Sequence, residues 1–163
     1  SINNKGEKSM SIESNSAYNP STRIGEVSGV AYYASVTTPN TTFEPHKWEL
    51  NLVVDEKALD EFSARGYTIK EKDFGRCINF KRNVTRKGGG TNNRPILVNE
   101  NRKRVDELPK IGNGSKVKIQ YADYDWSYAG KTGVGTDLRA IQLLELVEYA
   151  EPEGSDFYDE EEF

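Results

Sequence analysis

The chain has 163 residues, 22 Lys and Arg against 26 Asp and Glu for a formal charge of −4, and 35% hydrophobic residues. That size suits one modest domain with appendages, and no apolar run is long enough to span a bilayer, since even the one around Ile141 to Val147 is broken by Gln142 and Glu145. A single cysteine, Cys77, and a single histidine, His46, exclude an intrachain disulfide, a Cys/His zinc cluster and a conventional catalytic triad with a spare histidine.

Residues 1–26 are rich in Ser, Asn and charge, with isolated Ile2, Met10 and Ile12 and no sustained period, and they read as a flexible N-terminal arm. No basic start followed by an apolar run marks an export signal, so an intracellular protein is the default expectation. From Val27 the dominant signal is period-two alternation. Val30, Tyr32, Ala34 and Val36 form one row, and Trp48, Leu50, Leu52 and Val54 form a second against Lys47, Glu49 and Asn51. Asp55 is placed to cap a short helix with Ala58, Leu59 and Phe62 on one face, Arg65 in the last turn and Gly66 as its left-handed stop. Further strands are expected at about Arg76 to Val84, Pro95 to Asn99, Ser115 to Ala122, Tyr124 to Ala129 and Asp137 to Tyr149. The last has Leu144 and Leu146 on one side and Leu143 and Val147 on the other, as if covered twice. A mainly β, OB-fold-like Greek-key barrel over residues 27–150, with one short inserted helix, accommodates these elements.

Charge is arranged unevenly. Residues 151–163 hold seven acids (Glu151, Glu153, Asp156, Asp159, Glu160, Glu161 and Glu162) and no base, which leaves 22 bases against 19 acids elsewhere. A body of about +3 should attract this disordered acidic C-terminal tail of about −7. Within the body, Arg76, Lys81, Arg82, Arg86, Lys87, Arg94, Arg102, Lys103 and Arg104 are opposed only by Glu100, and Lys87 to Asn93 reads K-G-G-G-T-N-N. A mobile basic β-ribbon suited to a phosphate backbone is the expected form. Tyr124, Trp126 and Tyr128 alternate with Asp123, Asp125 and Ser127, placing three rings on one strand face for base stacking, and Phe80 beside Lys81 is a fourth candidate ring. Lys116 and Lys118 alternate with Val117 and Ile119, adding a charged rim.

Two glycine clusters, Gly112 to Gly114 and Ala129 to Gly135, fail the phosphate-loop patterns. A Walker loop needs glycine where Asp125 stands, and a dinucleotide fingerprint needs Gly or Ala where Leu138 stands, so both read as turns. Asp123 and Asp125 are the acids that would have to converge with others for a metal-dependent nuclease. No cofactor is expected, and the residues leave an RNA-binding OB module or RNA chaperone open as the alternative.

The succession K-W-E-L-N-L, helix, basic hairpin, L-P-K-I-G-N-G-S-K-V-K-I-Q-Y, aromatic strand, L-R-A-I-Q-L-L-E-L-V-E and an acidic end closing on Phe163 resembles the single-stranded DNA-binding proteins of short-tailed bacteriophages, from about Lys47 to Phe163. The resemblance implies a non-enzymatic OB-fold protein that coats single-stranded DNA without strong sequence preference, promotes annealing and acts in replication, recombination and repair in the cytoplasm of an infected bacterium. It places the family's aromatic pair on Trp126 and Tyr128 and its basic strand near Lys81 and Arg82. It also makes the tail, with Asp156, Phe157, Asp159, Glu160, Glu161, Glu162 and Phe163, a contact for phage DNA polymerase and helicase/primase. A homodimer is left open.

Overall fold

The computed structural model describes residues 23–149. The acidic tail and all but the last four residues of the expected arm lie outside the described residues. Strand β1 (Arg23–Asn40) begins at Arg23, ahead of the point where alternation becomes legible, because the residues from Arg23 onward pair with Asp123 and its predecessors. β2 (Lys47–Val53), α1 (Glu56–Ala64), β3 (Lys70–Lys72), β4 (Gly75–Asn83), β5 (Ile96–Val98), β6 (Arg104–Val105), β7 (Ser115–Tyr128) and β8 (Lys131–Glu145) follow. They form one sheet in the order β3-β4-β2-β1-β7-β8-β5-β6. The long β1 serves two neighbours, β7 along its first half and β2 along its second, which curls the sheet toward a barrel. No ladder joins β4 to β8 among the described residues. Side chains close that seam instead, with the Thr136 hydroxyl donating to the Asn79 carbonyl at 3.4 Å and Arg82 paired with Asp137.

The core lies inside this curl. Leu50, Leu52, Ile78, Val117, Ile119, Leu138, Ile141 and Leu143 are essentially inaccessible, and each such aliphatic side chain contributes about 1.5–3 kcal/mol by leaving water. Helix α1 forms as its local signals dictate. The Asp55 carboxylate accepts from the Ala58 amide at 2.8 Å, Leu59 and Phe62 are buried, Arg65 is the C-cap residue, and Gly66 follows with φ +98°. Phe62 thereby joins the core rings, 4.7 Å from Tyr67, 5.7 Å from Tyr121 and 6.0 Å from Phe80 between centroids. Cys77 is a buried small hydrophobe whose thiol pKa is raised by burial.

Bulges account for two departures from the sequence pattern. In β1 the register breaks between Tyr32 and Ser35, so Ala31 and Val36 point inward while Tyr32 stacks outside on Phe74. In β8 the pairing skips Arg139 and Leu144, so Leu138, Ile141 and Leu143 all face the core and Leu144 is exposed; the strand is covered once, not twice. The two expected aromatic-region strands are one, β7, with Asp123 in its middle. The basic segment also differs from a ribbon. β5 does not return beside β4 but pairs in parallel with β8, because Leu97 is needed in the core.

Candidate nucleic-acid interface

Beyond Asp123, β7 and β8 leave the barrel as a two-stranded projection. Its tip is a two-residue turn in which Ala129 and Gly130 both have positive φ, 51° and 81°, the backbone that matches the twist of the flanking strands. Tyr124, Trp126 and Tyr128 lie along one face, increasingly exposed toward the tip at 39%, 42% and 80%. Their cross-strand partners explain how they sit: Trp126 is opposite Gly133 and Tyr124 opposite Gly135. A Cβ at Gly133 would lie 2.5 Å from the indole, and one at Gly135 would lie 2.5 Å from the Tyr124 ring. The two rings therefore lie over bare backbone and keep much of their surface exposed. The glycines that read as a turn are the floor beneath these rings.

The base of the projection is pinned by a buried carboxylate. Asp123 is fully buried, with Oδ1 2.6 Å from Arg23 Nε of β1 and Oδ2 3.1 Å from Arg65 Nη2 at the end of α1, and it accepts from the Tyr67 hydroxyl. Burial first, and the hydrogen bond to Asp123 second, raise the Tyr67 phenol pKa, so the hydroxyl stays a donor. Arg23 also reaches Asp125 at 3.2 Å. Asp123 and Asp125, the acids weighed for metal chemistry, are thus bridged by a guanidinium.

Beside the projection lies an open cleft of about 300 Å³. Its walls are Lys81 and Arg82 of β4, Arg86, Lys87 and Asn92 of the following loop, and Tyr124, Thr136, Asp137 and Arg139 of the β7–β8 pair. Five cations and one acid therefore face a space bordered by an aromatic ring. The loop is held by the Thr85–Thr91 bridge and the Arg86 amide on the Gly90 carbonyl at 2.9 Å, with Gly88, Gly89 and Gly90 all at positive φ. Arg86 and Lys87 are exposed at its tip.

Several sequence-predicted residues stand elsewhere or act otherwise. Phe80 is fully buried among Phe62, Tyr67 and Tyr121, so it supports the core and has no face for a base. Arg94 turns away from the cleft and donates to the carbonyls of Thr37 at 3.4 Å and Asp106 at 2.6 Å, tying β1 to the chain before β7. Arg82 lines the cleft but is already engaged, at 2.7–2.8 Å to both Asp137 oxygens and 2.8 Å to the Asn93 carbonyl. Lys116 and Lys118 share the outward face of β7 but lie outside the cleft, each 3.3 Å from a carboxylate, Glu145 and Glu26.

No family model matches the chain. Among curated proteins, the single-stranded DNA-binding protein of Enterobacteria phage T3 is 34% identical over 56 residues, 33% of this chain and 24% of that protein. Its counterpart from Escherichia phage T7 is 33% identical over 69 residues, 41% and 29% of the two chains. The matched stretches thus span only about a quarter of the curated relatives. Among solved structures, the T7 single-stranded DNA-binding protein superimposes with TM-score 0.58 at 22% identity, covering 85% of this chain and 94% of that one. The protein of bacteriophage Enc34 in complex with single-stranded DNA gives 0.53 at 15% identity, over 84% and 92%. The chain resembles the phage single-stranded DNA-binding proteins of the short-tailed type. The fold is their OB-like one, mainly β with one short helix.

Sequence reasoning missed two parts of this phage-type architecture. Arg139 enters the cleft because it is the unpaired bulge residue of β8, 2.7 Å from Asp137 Oδ2, and a bulge leaves no mark in an apolar run such as A-I-Q-L-L. The Gly133 and Gly135 seats carry a legible signal, since glycines spaced by two match rings spaced by two on a neighbouring strand. Among the described residues, no helix is long and apolar enough to cross a membrane.

Proposed function

We propose that this protein binds single-stranded DNA along the cleft and the aromatic projection, with bases stacking on Tyr124, Trp126 and Tyr128 and phosphates meeting Lys81, Arg86, Lys87 and Arg139. The observation that carries the reading is the juxtaposition of one cation-rich cleft with a row of three exposed rings, two of them seated on glycine. Stacking accepts any base and phosphate contacts are blind to sequence, so this combination coats strands rather than selecting sites. In the same reading the protein acts by binding and not by catalysis, protects and anneals single strands during phage replication, recombination and repair, and works in the infected bacterial cell. The acidic end, carrying Asp156, Phe157, Asp159, Glu160, Glu161, Glu162 and Phe163, then recruits the replication polymerase and helicase/primase.

The two tryptophans make the test direct, because Trp48 is buried at 7% exposure while Trp126 stands in the projection. Titration with oligo-dT should quench the Trp126 emission and leave that of Trp48, and duplex DNA should quench neither. Replacing Trp126 by Ala should abolish the response and weaken binding by about 1–3 kcal/mol with an unchanged circular dichroism spectrum. Native affinity in that variant would move the strand off the projection. Competition between oligo-dT and oligo-U in the same assay decides between the DNA and RNA readings.

A further inference from the structure

A second aromatic position lies on the outer surface of β1, β2 and β4, outside the cleft. Tyr33 occupies the β1 bulge with φ +53°, a left-handed backbone that a bulky side chain adopts only at a cost in free energy. The conformation is held from outside the strand by the Asn113 side chain, whose Oδ1 accepts from the Tyr33 amide at 2.7 Å. Its effect is to bring two consecutive residues against the same ring. Tyr32 stacks face to face on Phe74 at 4.0 Å and 7°, and Tyr33 leans on Phe74 at 6.0 Å and 50°. Yet Tyr33 remains 65% exposed, so burial returns little for the strain. What the bulge achieves is the presentation of a ring, backed by a stacked pair, to solvent.

Polar and cationic groups join this ring to the cleft. Tyr32, Asn51 and Asn79 lie abreast on β1, β2 and β4, the Asn79 amide donating to the Asn51 carbonyl oxygen at 3.2 Å. The next pair toward the cleft is Glu49 with Lys81, and Lys81 also lines the cleft. The Glu49 carboxylate is occupied by the amides of Asn40 at 2.9 Å and Asn79 at 3.2 Å. Lys47 of β2 is paired with Asn83 and Lys70 of β3 with Cys77, so both flank the row of β4 residues that carries Lys81 on its outer face, and after burial their charges lower the Lys81 pKa. An anionic backbone laid between them would relieve the repulsion among these like charges.

We infer that the single strand continues from the cleft over Lys81, Lys47 and Lys70 to a second stacking position at Tyr33. This rests on the single-strand reading of the cleft and adds to it a longer track with two separated aromatic stations. A strand too short to reach Tyr33 uses the cleft and projection alone.

The experiment compares oligo-dT of about six and about 20 nucleotides, bracketing the span of one OB domain, on the full chain and on Tyr33→Asn. Asparagine tolerates the left-handed backbone, so the variant should melt no lower than wild type. Trp126 quenching by the short oligonucleotide should be unchanged, while affinity for the long one should fall at least about fivefold. Equal affinity of the variant and wild type for the long oligonucleotide, with Trp126 quenching intact, would overturn this inference and leave the cleft reading standing. No Trp126 response in wild type with either length would overturn both. Should Tyr33→Asn lower the melting temperature, Lys47→Gln with Lys70→Gln keeps the question open to measurement. The pair should reduce the salt dependence of binding for the long oligonucleotide only, and an unaltered slope for it would sink the track.

Discussion

The same strand, β7, contributes to two aromatic groups with opposite fates. Tyr121 points into the barrel and packs with Phe62, Tyr67 and Phe80, whereas Tyr124, Trp126 and Tyr128 stand outside on a projection with glycine opposite two of them. Composition does not separate the groups, since both contain tyrosine beside another ring type. Parity along the strand and the residue across the ladder do. An inward ring is met by other rings and by aliphatic side chains on every side, and an outward ring resting on glycine keeps much of its surface available. The buried carboxylate of Asp123 marks the boundary, fastened to β1 and α1 by Arg23 and Arg65.

The contrast breaks most visibly if an inner ring is removed. Phe80→Ala should cost about 3–5 kcal/mol of unfolding free energy in chemical denaturation, the cost of a large cavity in a packed core. Were Phe80 a stacking residue, affinity would fall and stability would hold. A smaller effect is expected from disturbing the seat of an outer ring while leaving the ring itself. Gly133→Ala places a methyl where the indole rests, so Trp126 must shift, and single-strand affinity should weaken by about 1 kcal/mol, less than deleting the ring, with little change in melting temperature. Unchanged affinity and an unchanged Trp126 spectrum would mean that the seat does not set the ring's position. The smallest effect sharpens the division among the cations. Arg86→Gln with Lys87→Gln should lower the slope of log affinity against log salt by roughly 1.4, about 0.7 for each phosphate no longer neutralised, whereas Arg94→Gln should leave it unaltered. A slope that responds to Arg94 would reverse the assignment drawn from its carbonyl partners.

Much of the fold was legible where its causes are local. The helix could be read because its cap, apolar face and glycine stop lie within a dozen residues, and β2 because Trp48, Leu50 and Leu52 alternate with polar neighbours without interruption. The faces of β1 and β8 could not be read through their bulges, since one unpaired residue inverts the parity of everything beyond it. At the candidate site, the aromatic row was visible as spacing, and so was the density of positive charge. Which cations face the cleft was not. Arg94 is consumed by backbone carbonyls 57 and 12 residues away, and Arg82 by an aspartate 55 residues away, partners that only the folded chain brings near.

The long-range pairing of β1 also governs when the molecule can come into being during synthesis. The first half of β1 has no ladder partner until β7 exists, Arg23 meeting Asp123 and Gly29 meeting Val117. A nascent chain shorter than that carries an unpaired edge and an incomplete core, which is a hazard for association with other chains. The projection is made of the end of β7 and the start of β8, and core residues Leu138, Ile141 and Leu143 come just after it. Translation therefore delivers the rings just ahead of the segment that completes the barrel, so that barrel and projection mature together.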